Sequence, residues 1–235
     1  MSNLKMYCIT VQDSHLDLIR SLNYIPVGLG NNINSKLFTR DNTGKNISQK
    51  NPFYGEYTFH YWLWKNYLNK INTKWVGFCQ YRKFFVKKDL NVERLTFDEL
   101  QNNLIKNINF PDQNFDCILG SQFSVENFKF SKIFRNHLRE FISKPSLFFD
   151  KKKRNLKFHF DLFHGKGNLD LAIKYLNDED KKDFKIFMES RTSFNPHNMF
   201  ICRTDILQEY YKTIFPWLEK CEEVFGFKNL KGYGL

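Results

Sequence analysis

Apolar positions along this chain fall into short strand-like runs separated by stretches with helical spacing. Lys5 to Val11 (KMYCITV) is predicted as a buried strand, β-branched toward its end. Ser14 to Leu22 follows as a short helix with Ser14 at the N-cap position. Tyr24 to Leu29 (YIPVGL) reads as a second extended stretch, in which Pro26 calls for an edge or a strand start. From Asn31 to Pro52 the periodicity disappears, and Asn31-Asn32, Asn42-Thr43-Gly44 and Asn51-Pro52 mark turns. A polar connection of that length exceeds the usual loop, and such loops are commonly functional or disordered.

Periodicity returns at Glu56. Over Glu56 to Lys70, the residues Tyr57, Tyr61, Trp64 and Leu68 recur at 4-3-4 spacing, which predicts a helix with that stripe toward a core, widened by Phe53 and Trp62. Trp75 to Cys79 is a third buried strand, and Phe97 to Ile108 a helix opened by Thr96 and Asp98. Phe115 to Leu119 reads as a strand and Asn127 to Arg154 as mixed helical pattern. Leu169 to Leu176, capped by Asn168, and Asp178 to Glu189 read as helices. Met199 to Cys202 is a last strand before a helix from Thr204 to Phe225, within which Pro216 is expected to introduce a kink or turn. Strands separated by helices predict an α/β architecture with a mainly parallel sheet.

Composition narrows the class. A chain of 235 residues suits one domain, or one with a small appendage, and its 42% hydrophobic and 17% aromatic content is that of a globular protein. No run of about 18 apolar residues is present, so no bilayer-spanning helix is expected. The start, Met-Ser-Asn-Leu-Lys, leads directly into a strand, which predicts a cytoplasmic protein without a signal peptide. Cys8, Cys79, Cys117 and Cys202 sit in apolar runs and Cys221 in a helix, without metal or redox spacing, so they read as small hydrophobes.

The net charge of +11 favours anionic partners: nucleic acid, a phospholipid surface or a phosphorylated substrate. The densest basic run, Lys151-Lys152-Lys153-Arg154, lies among Phe148, Phe149, Phe158 and Phe160 and fits either a membrane or nucleic-acid patch or a solvated loop. Elsewhere the basic residues are scattered and no nucleic-acid motif occurs, so a nucleic-acid-binding module is the weaker reading.

Several spaced blocks then point to one family. They are Asp41-Asn42-x-Gly44-x-Asn46-Ile47-Ser48, Asn51-Pro52, Glu56, Tyr61-Trp62-x-Trp64-Lys65-Asn66, Val76-Gly77, Tyr81-Arg82 and Asn198-Met199-Phe200-Ile201. Together, from about Lys5 to Gly232, the chain resembles the bacterial capsular-polysaccharide glycosyltransferase family catalogued as domain of unknown function 4422. The resemblance implies a GT-A-like fold, a Rossmann-type, mainly parallel sheet flanked by helices. It also implies transfer of a sugar from a nucleotide diphosphate donor, UDP-sugar favoured, to a lipid-linked or oligosaccharide acceptor of a surface polysaccharide. On that reading 1–235 is one glycosyltransferase domain, with about 1–120 on the donor side and about 121–235 on the acceptor side, and peripheral contact with the inner membrane face is compatible.

Two departures accompany it. The family usually has His-Tyr-Arg-Arg where this chain has Gln80-Tyr81-Arg82-Lys83, and Gln80 can donate a hydrogen bond but cannot take a proton. Family members also usually continue past the C-terminal Gly-Tyr into a further helix, so a terminal element is expected to be missing. A non-catalytic relative that binds the donor is the corresponding alternative.

GT-A enzymes commonly hold manganese or magnesium with an Asp-x-Asp at a strand end, and here that place is taken by Gln80-Tyr81-Arg82. Arg82 offers a diphosphate a planar fork of donors and Lys83 a second positive charge, so fixed cations are expected to stand in for a metal. The one formal Asp-x-Asp, Asp178-Glu179-Asp180, opens a helix, where acidic residues serve the macrodipole. The substrate-binding set comprises Thr10 and Gly28, toward the ends of the first two extended stretches, Asp41, Asn42, Asn46 and Ser48 in the polar loop, then Gln80, Tyr81, Arg82, Lys83, His197 and Asn198. Candidate catalytic groups are Glu56, His164 and Asp170, one of which would take the acceptor proton.

Overall fold

The structure, a computed structural model, describes residues 2–109, 114–126, 150 and 153–227. Most of the expected mixed helical stretch from Asn127 to Arg154 lies outside the described residues. Among the described residues the strands are β1 Leu4–Thr10, β2 Ile25–Gly28, β3 Thr39–Arg40, β4 Trp75–Gln80, β5 Cys117–Leu119, β6 Phe123–Ser124, β7 Ser193–Phe194 and β8 Phe200–Arg203. The helices are α1 Leu16–Ser21, α2 Asn51–Tyr54, α3 Tyr57–Asn66, α4 Phe97–Asn103, α5 Leu156–His164, α6 Asn168–Ile173, α7 Asp178–Ser190 and α8 Thr204–Phe225. None of these helices is long and apolar enough to cross a membrane. The chain divides into two compact units, Met1–Gly120 with His197–Lys212, and Ser121–Pro196 with Thr213–Leu235.

The first unit holds a six-stranded sheet in the order β3-β2-β1-β4-β8-β5. Strands β1 to β4 are mutually parallel, and β8 runs antiparallel to both β4 and β5. The mainly parallel α/β sheet expected from the alternation of runs is therefore present. Central strands buried on both faces read as continuous apolar runs, which is why KMYCIT and WVGFC were legible. Pro26 is not on an edge strand; it is the second residue of β2, ahead of the point where β3 begins to pair at Val27, so its missing N–H leaves no ladder bond open on that side.

Alternation divides the core between the two faces. Leu4, Met6 and Cys8 pack with Trp75, Cys79, Ile19, Leu22 and Ile201 on one face. The other face is aromatic: Tyr7 meets Phe59 at 5.2 Å and Phe78 at 5.8 Å, and Phe78 meets His60 at 4.3 Å and Phe200 at 5.1 Å between ring centroids. The cysteines occupy small core positions: Cys8 and Cys79 are register neighbours on β1 and β4, and Cys117 and Cys202 on β5 and β8.

Several elements differ from expectation. The core face of α3 is Thr58, Phe59, His60 and Leu63, with Leu68 beyond it; the expected Tyr57, Tyr61 and Trp64 are only half-buried and Phe53 is exposed. A neutral histidine serves as an apolar core residue, while the larger aromatics keep polar or cationic partners at the rim, as with Tyr57 hydroxyl to Tyr210 hydroxyl at 2.8 Å. Ser14 caps nothing, because the chain enters a 3-10 turn over Asp13–His15 before α1. The helix from Phe97 stops at Asn103, and the chain then pairs back as the bridge Val86 to Leu104. The last helix has the expected bounds, Thr204–Phe225, with Pro216 inside it.

The second unit was the less legible. Its β6 and β7 pair antiparallel, and α5 was missed altogether. Asn155 caps α5 by accepting from Phe158 N–H, and Asn177 caps α7 by accepting from Asp180 N–H. Asn168 is the first residue of α6, not its cap; the cap is Gly167 at φ +85°. Trp217 indole N–H donates to Ala172 carbonyl at 2.8 Å and its ring meets Phe184 edge-on.

Candidate functional site

In open α/β sheets, side chains just beyond the carboxyl ends of parallel strands face a crevice. Here β1 ends at Thr10, β2 at Gly28 and β4 at Gln80, and a cavity of about 310 Å³ lies at those ends. Ile9 and Thr10 line it from β1 and Val11 just after it, Leu29 just after β2, Asn51 from α2, Gly55 and Glu56 from the turn before α3, and Gln80, Tyr81 and Arg82 from the tip of β4.

The polar groups converge on Glu56. Gln80 Nε2 donates to Glu56 Oε1 at 2.5 Å, and Asn198 also hydrogen-bonds the carboxyl. Burial pushes the Glu56 carboxyl above its ordinary range, while Gln80, the Lys83 charge and Asn198 pull the other way. Lys83 Nζ lies 2.7 Å from His197 Nε2, and an ammonium can only donate there, so this nitrogen is the acceptor and the ring is neutral in this arrangement. Partial burial and the charges of Lys83 and Arg82 lower the His197 pKa in agreement with that. His197 adopts φ +67°, a left-handed conformation that costs a non-glycine residue energy and that clusters at functional sites.

The opposite wall is built on Thr10. Its hydroxyl accepts from Gln12 N–H at 3.2 Å and lies 2.7 Å from His15 Nδ1. The His15 ring stacks on Tyr81 at 3.8 Å and 9°, which fixes the Tyr81 ring against the cavity. Arg82 lies 5.6 Å from the same ring. His15 and Val11 were not singled out from the sequence, and Asn51 was read there as a turn signal and part of a family block, not as a site residue. The signal that would have found His15 and Val11 is positional: Val11 is the last residue of the first predicted strand and His15 follows closely on it.

The polar loop places its residues differently. Asp41 is buried beneath it, hydrogen-bonded to Thr58, with its pKa raised by burial and its Oδ2 without a partner. Asn46 Oδ1 accepts from Ser48 N–H and hydroxyl while its amide donates to Gly44 carbonyl, so both side chains shape the turn. Asn42 is exposed. Gly28 is a packing position: a Cβ there would lie 2.7 Å from Ile33 and 3.0 Å from Phe38. None of these five residues lines the cavity.

His164 and Asp170 belong to the second unit. His164 closes α5, half-buried, its ring 4.7 Å from Phe160 and its pKa lowered by burial. Asp170 is exposed and pairs with Lys157 at 2.5 Å. Asp178, Glu179 and Asp180 occupy the first turn of α7, where Asn177 amide donates to Asp180 and Lys181 pairs with Asp178. Among the described residues no group of three or more His, Cys, Asp or Glu is placed to hold a metal ion. Of the basic run, Lys151 and Lys152 lie outside the described residues, Lys153 is 3.9 Å from Asp150, and Arg154 is buried and donates to Glu126 carbonyl at 3.0 Å.

Fold and cavity together define a mainly parallel α/β protein with a polar, cation-edged pocket at its strand ends. Residues 5–234 match the model of the family described as Domain of unknown function (DUF4422), and the chain belongs to that family. No curated protein matches the chain. Among solved structures it is similar to the apo structure of the WbbM bifunctional glycosyltransferase, with TM-score 0.55 and 21% identity, over 98% of this chain and 39% of that one. The likeness is one of fold, and this chain spans about two-fifths of that protein.

Proposed function

We propose that the protein is a glycosyltransferase that takes a sugar from a nucleotide diphosphate donor, a UDP-sugar, and passes it to a hydroxyl of a growing surface polysaccharide. The observation that carries the reading is the meeting of Glu56, Gln80, Lys83, His197 and Asn198, from three separated parts of the chain, beside a cavity that Thr10, Tyr81 and Arg82 also line. Arg82 forks onto the diphosphate and Lys83 adds charge, in the place where a metal would otherwise neutralise the leaving group. Tyr81, braced by His15, walls the nucleoside side. Glu56 takes the proton of the attacking hydroxyl, and Gln80 holds its carboxyl in place. His164 and Asp170 have no role in this scheme.

Thermal unfolding with UDP, GDP, CMP and their sugars tests the reading, because a ligand that binds only the native state raises its stability. UDP and UDP-sugars are expected to raise the midpoint, equally with EDTA and with manganese, and Arg82→Ala to abolish the shift. Turnover lost in EDTA and restored by manganese would overturn the metal-independent part. Donor binding without slow donor hydrolysis would leave a non-catalytic relative.

A further inference from the structure

A second cavity, of about 240 Å³, is lined by Lys5, Tyr7, Ile25, Thr39, Trp62 and Tyr67. It lies on the α3 side of the sheet; Tyr7 is four residues back along the chain from Val11 at the first cavity, about 13 Å at the rise of a strand. Tyr7 and its register neighbour Ile25 form part of its lining, and Trp62 and Tyr67 contribute from α3 and the residue after it. Lys5 Nζ donates to Tyr67 hydroxyl at 3.1 Å and sits 4.8 Å from the centre of that ring. Tyr7 is 2% exposed, its ring fixed against Phe59 and Phe78, and its hydroxyl is buried without a partner. Trp62 is oriented by its indole N–H on Thr43, and its ring is nearly parallel to Tyr67 at 6.4 Å and 15°.

We propose that this cavity is a subsite for one sugar ring of the glycan chain. Two aromatic faces suit the C–H face of a pyranose, and Tyr7 hydroxyl with Lys5 ammonium suits its hydroxyl edge. The volume is several times the roughly 30 Å³ share of one water, so a single water does not fill it. At about 240 Å³ the cavity is of a size that suits a single ring. A lone cation, with no second donor fork, gives no diphosphate site. The subsite rests on the proposed transfer to a polysaccharide acceptor but not on the donor site, and it would hold the chain away from the reacting end.

The test is saturation-transfer NMR and calorimetric titration of the whole chain with the methyl glycosides of glucose, galactose and glucuronic acid, with UDP as competitor. At least one saccharide is expected to bind, UDP not to compete, and Arg82→Ala to bind it unchanged. Tyr7→Phe should weaken it roughly tenfold, the loss of one well-placed hydrogen bond, with the unfolding midpoint kept or raised. Lys5→Met, at the rim, reports on the same site if Tyr7→Phe does not fold. No binding across the panel, equal binding by both variants, or displacement by UDP would overturn the proposal.

Discussion

A carboxylate that is to take a proton from a sugar hydroxyl must be ionised, partly dry and fixed, and Glu56 is the residue at the strand-end cavity with all three supports. Burial makes it more basic, and Gln80, Asn198 and Lys83 favour its charged form. Glu56→Gln keeps the shape and removes the basicity, so kcat is expected to fall by about 100-fold or more with little change in KM for the donor. A base works only when deprotonated. The rate is therefore lost as pH falls through the raised pKa, and the acid limb lies above the carboxyl's ordinary 4.5. Gln80→Ala removes a donor to the ionised form and should move that limb to still higher pH, a shift that a merely structural glutamine would not produce. A Glu56→Gln enzyme that retained its kcat would show that the carboxyl only binds.

At the scale of elements, the polar loop is not a free segment but a clasp on α3. Asn66 accepts from Lys45 N–H at 2.9 Å and donates to Lys45 carbonyl at 2.7 Å, while Trp62 indole N–H reaches Thr43 at 3.1 Å. The two family blocks around Asn46 and Asn66 thus meet physically. Gly44, at φ +57°, has no room for a Cβ because Asn66 Oδ1 stands there. Asn66→Ala is expected to cost about 1–3 kcal/mol in denaturant unfolding, since two backbone groups lose their partner, and Gly44→Ala to cost a comparable amount through strain. Equal stability of both variants with the wild type would mean the clasp is incidental. The loop also marks what the sequence could tell. Its turns were legible from Asn and Gly, yet the two-residue β3 inside it was not, because Thr39–Arg40 is too short to show alternation. The strands β1 and β4 were legible as unbroken apolar runs. The core face of α3 was misread because a buried histidine counts as polar in any hydrophobic pattern, and α5 because Phe158, Phe160 and Phe163 are interleaved with charges and histidines. The candidate site was half legible: Tyr81, Arg82 and Glu56 came from the family blocks and Gln80 from the departure beside them, whereas His15 bears on the cavity through a stack on Tyr81 and a contact with Thr10 that no spacing announces.

For the whole molecule, the fully buried His60 couples stability to pH. Its Nδ1 lies 2.7 Å from Tyr211 hydroxyl, its Nε2 has no partner, and burial lowers its pKa from 6.5 to about 3. The unfolded chain binds a proton near pH 6.5 that the folded one refuses until about pH 3, so folding stability is lost as pH falls through that window, at up to about 1.4 kcal/mol per pH unit. Glu56 acts with the opposite sign. Its pKa is raised on folding, so stability falls as pH rises from 4.5 toward its folded value. The two slopes oppose each other in mildly acid solution; the buried Asp41 carboxyl, also raised, acts with Glu56, and His164 and His197, also lowered, act with His60, so Glu56→Gln should steepen the loss on acidification. The net charge of +11 adds a third influence, repulsion that grows on acidification but is screened by salt, whereas a desolvated imidazole at the core is not. Unfolding free energies of Glu56→Gln between pH 7 and 5, at low salt and at 0.5 M sodium chloride, are therefore expected to fall on acidification in both, more steeply at low salt. In Glu56→Gln/His60→Phe the high-salt slope should be clearly shallower than in Glu56→Gln, by the share of the fully buried imidazole, and an unchanged slope would place the acid sensitivity elsewhere.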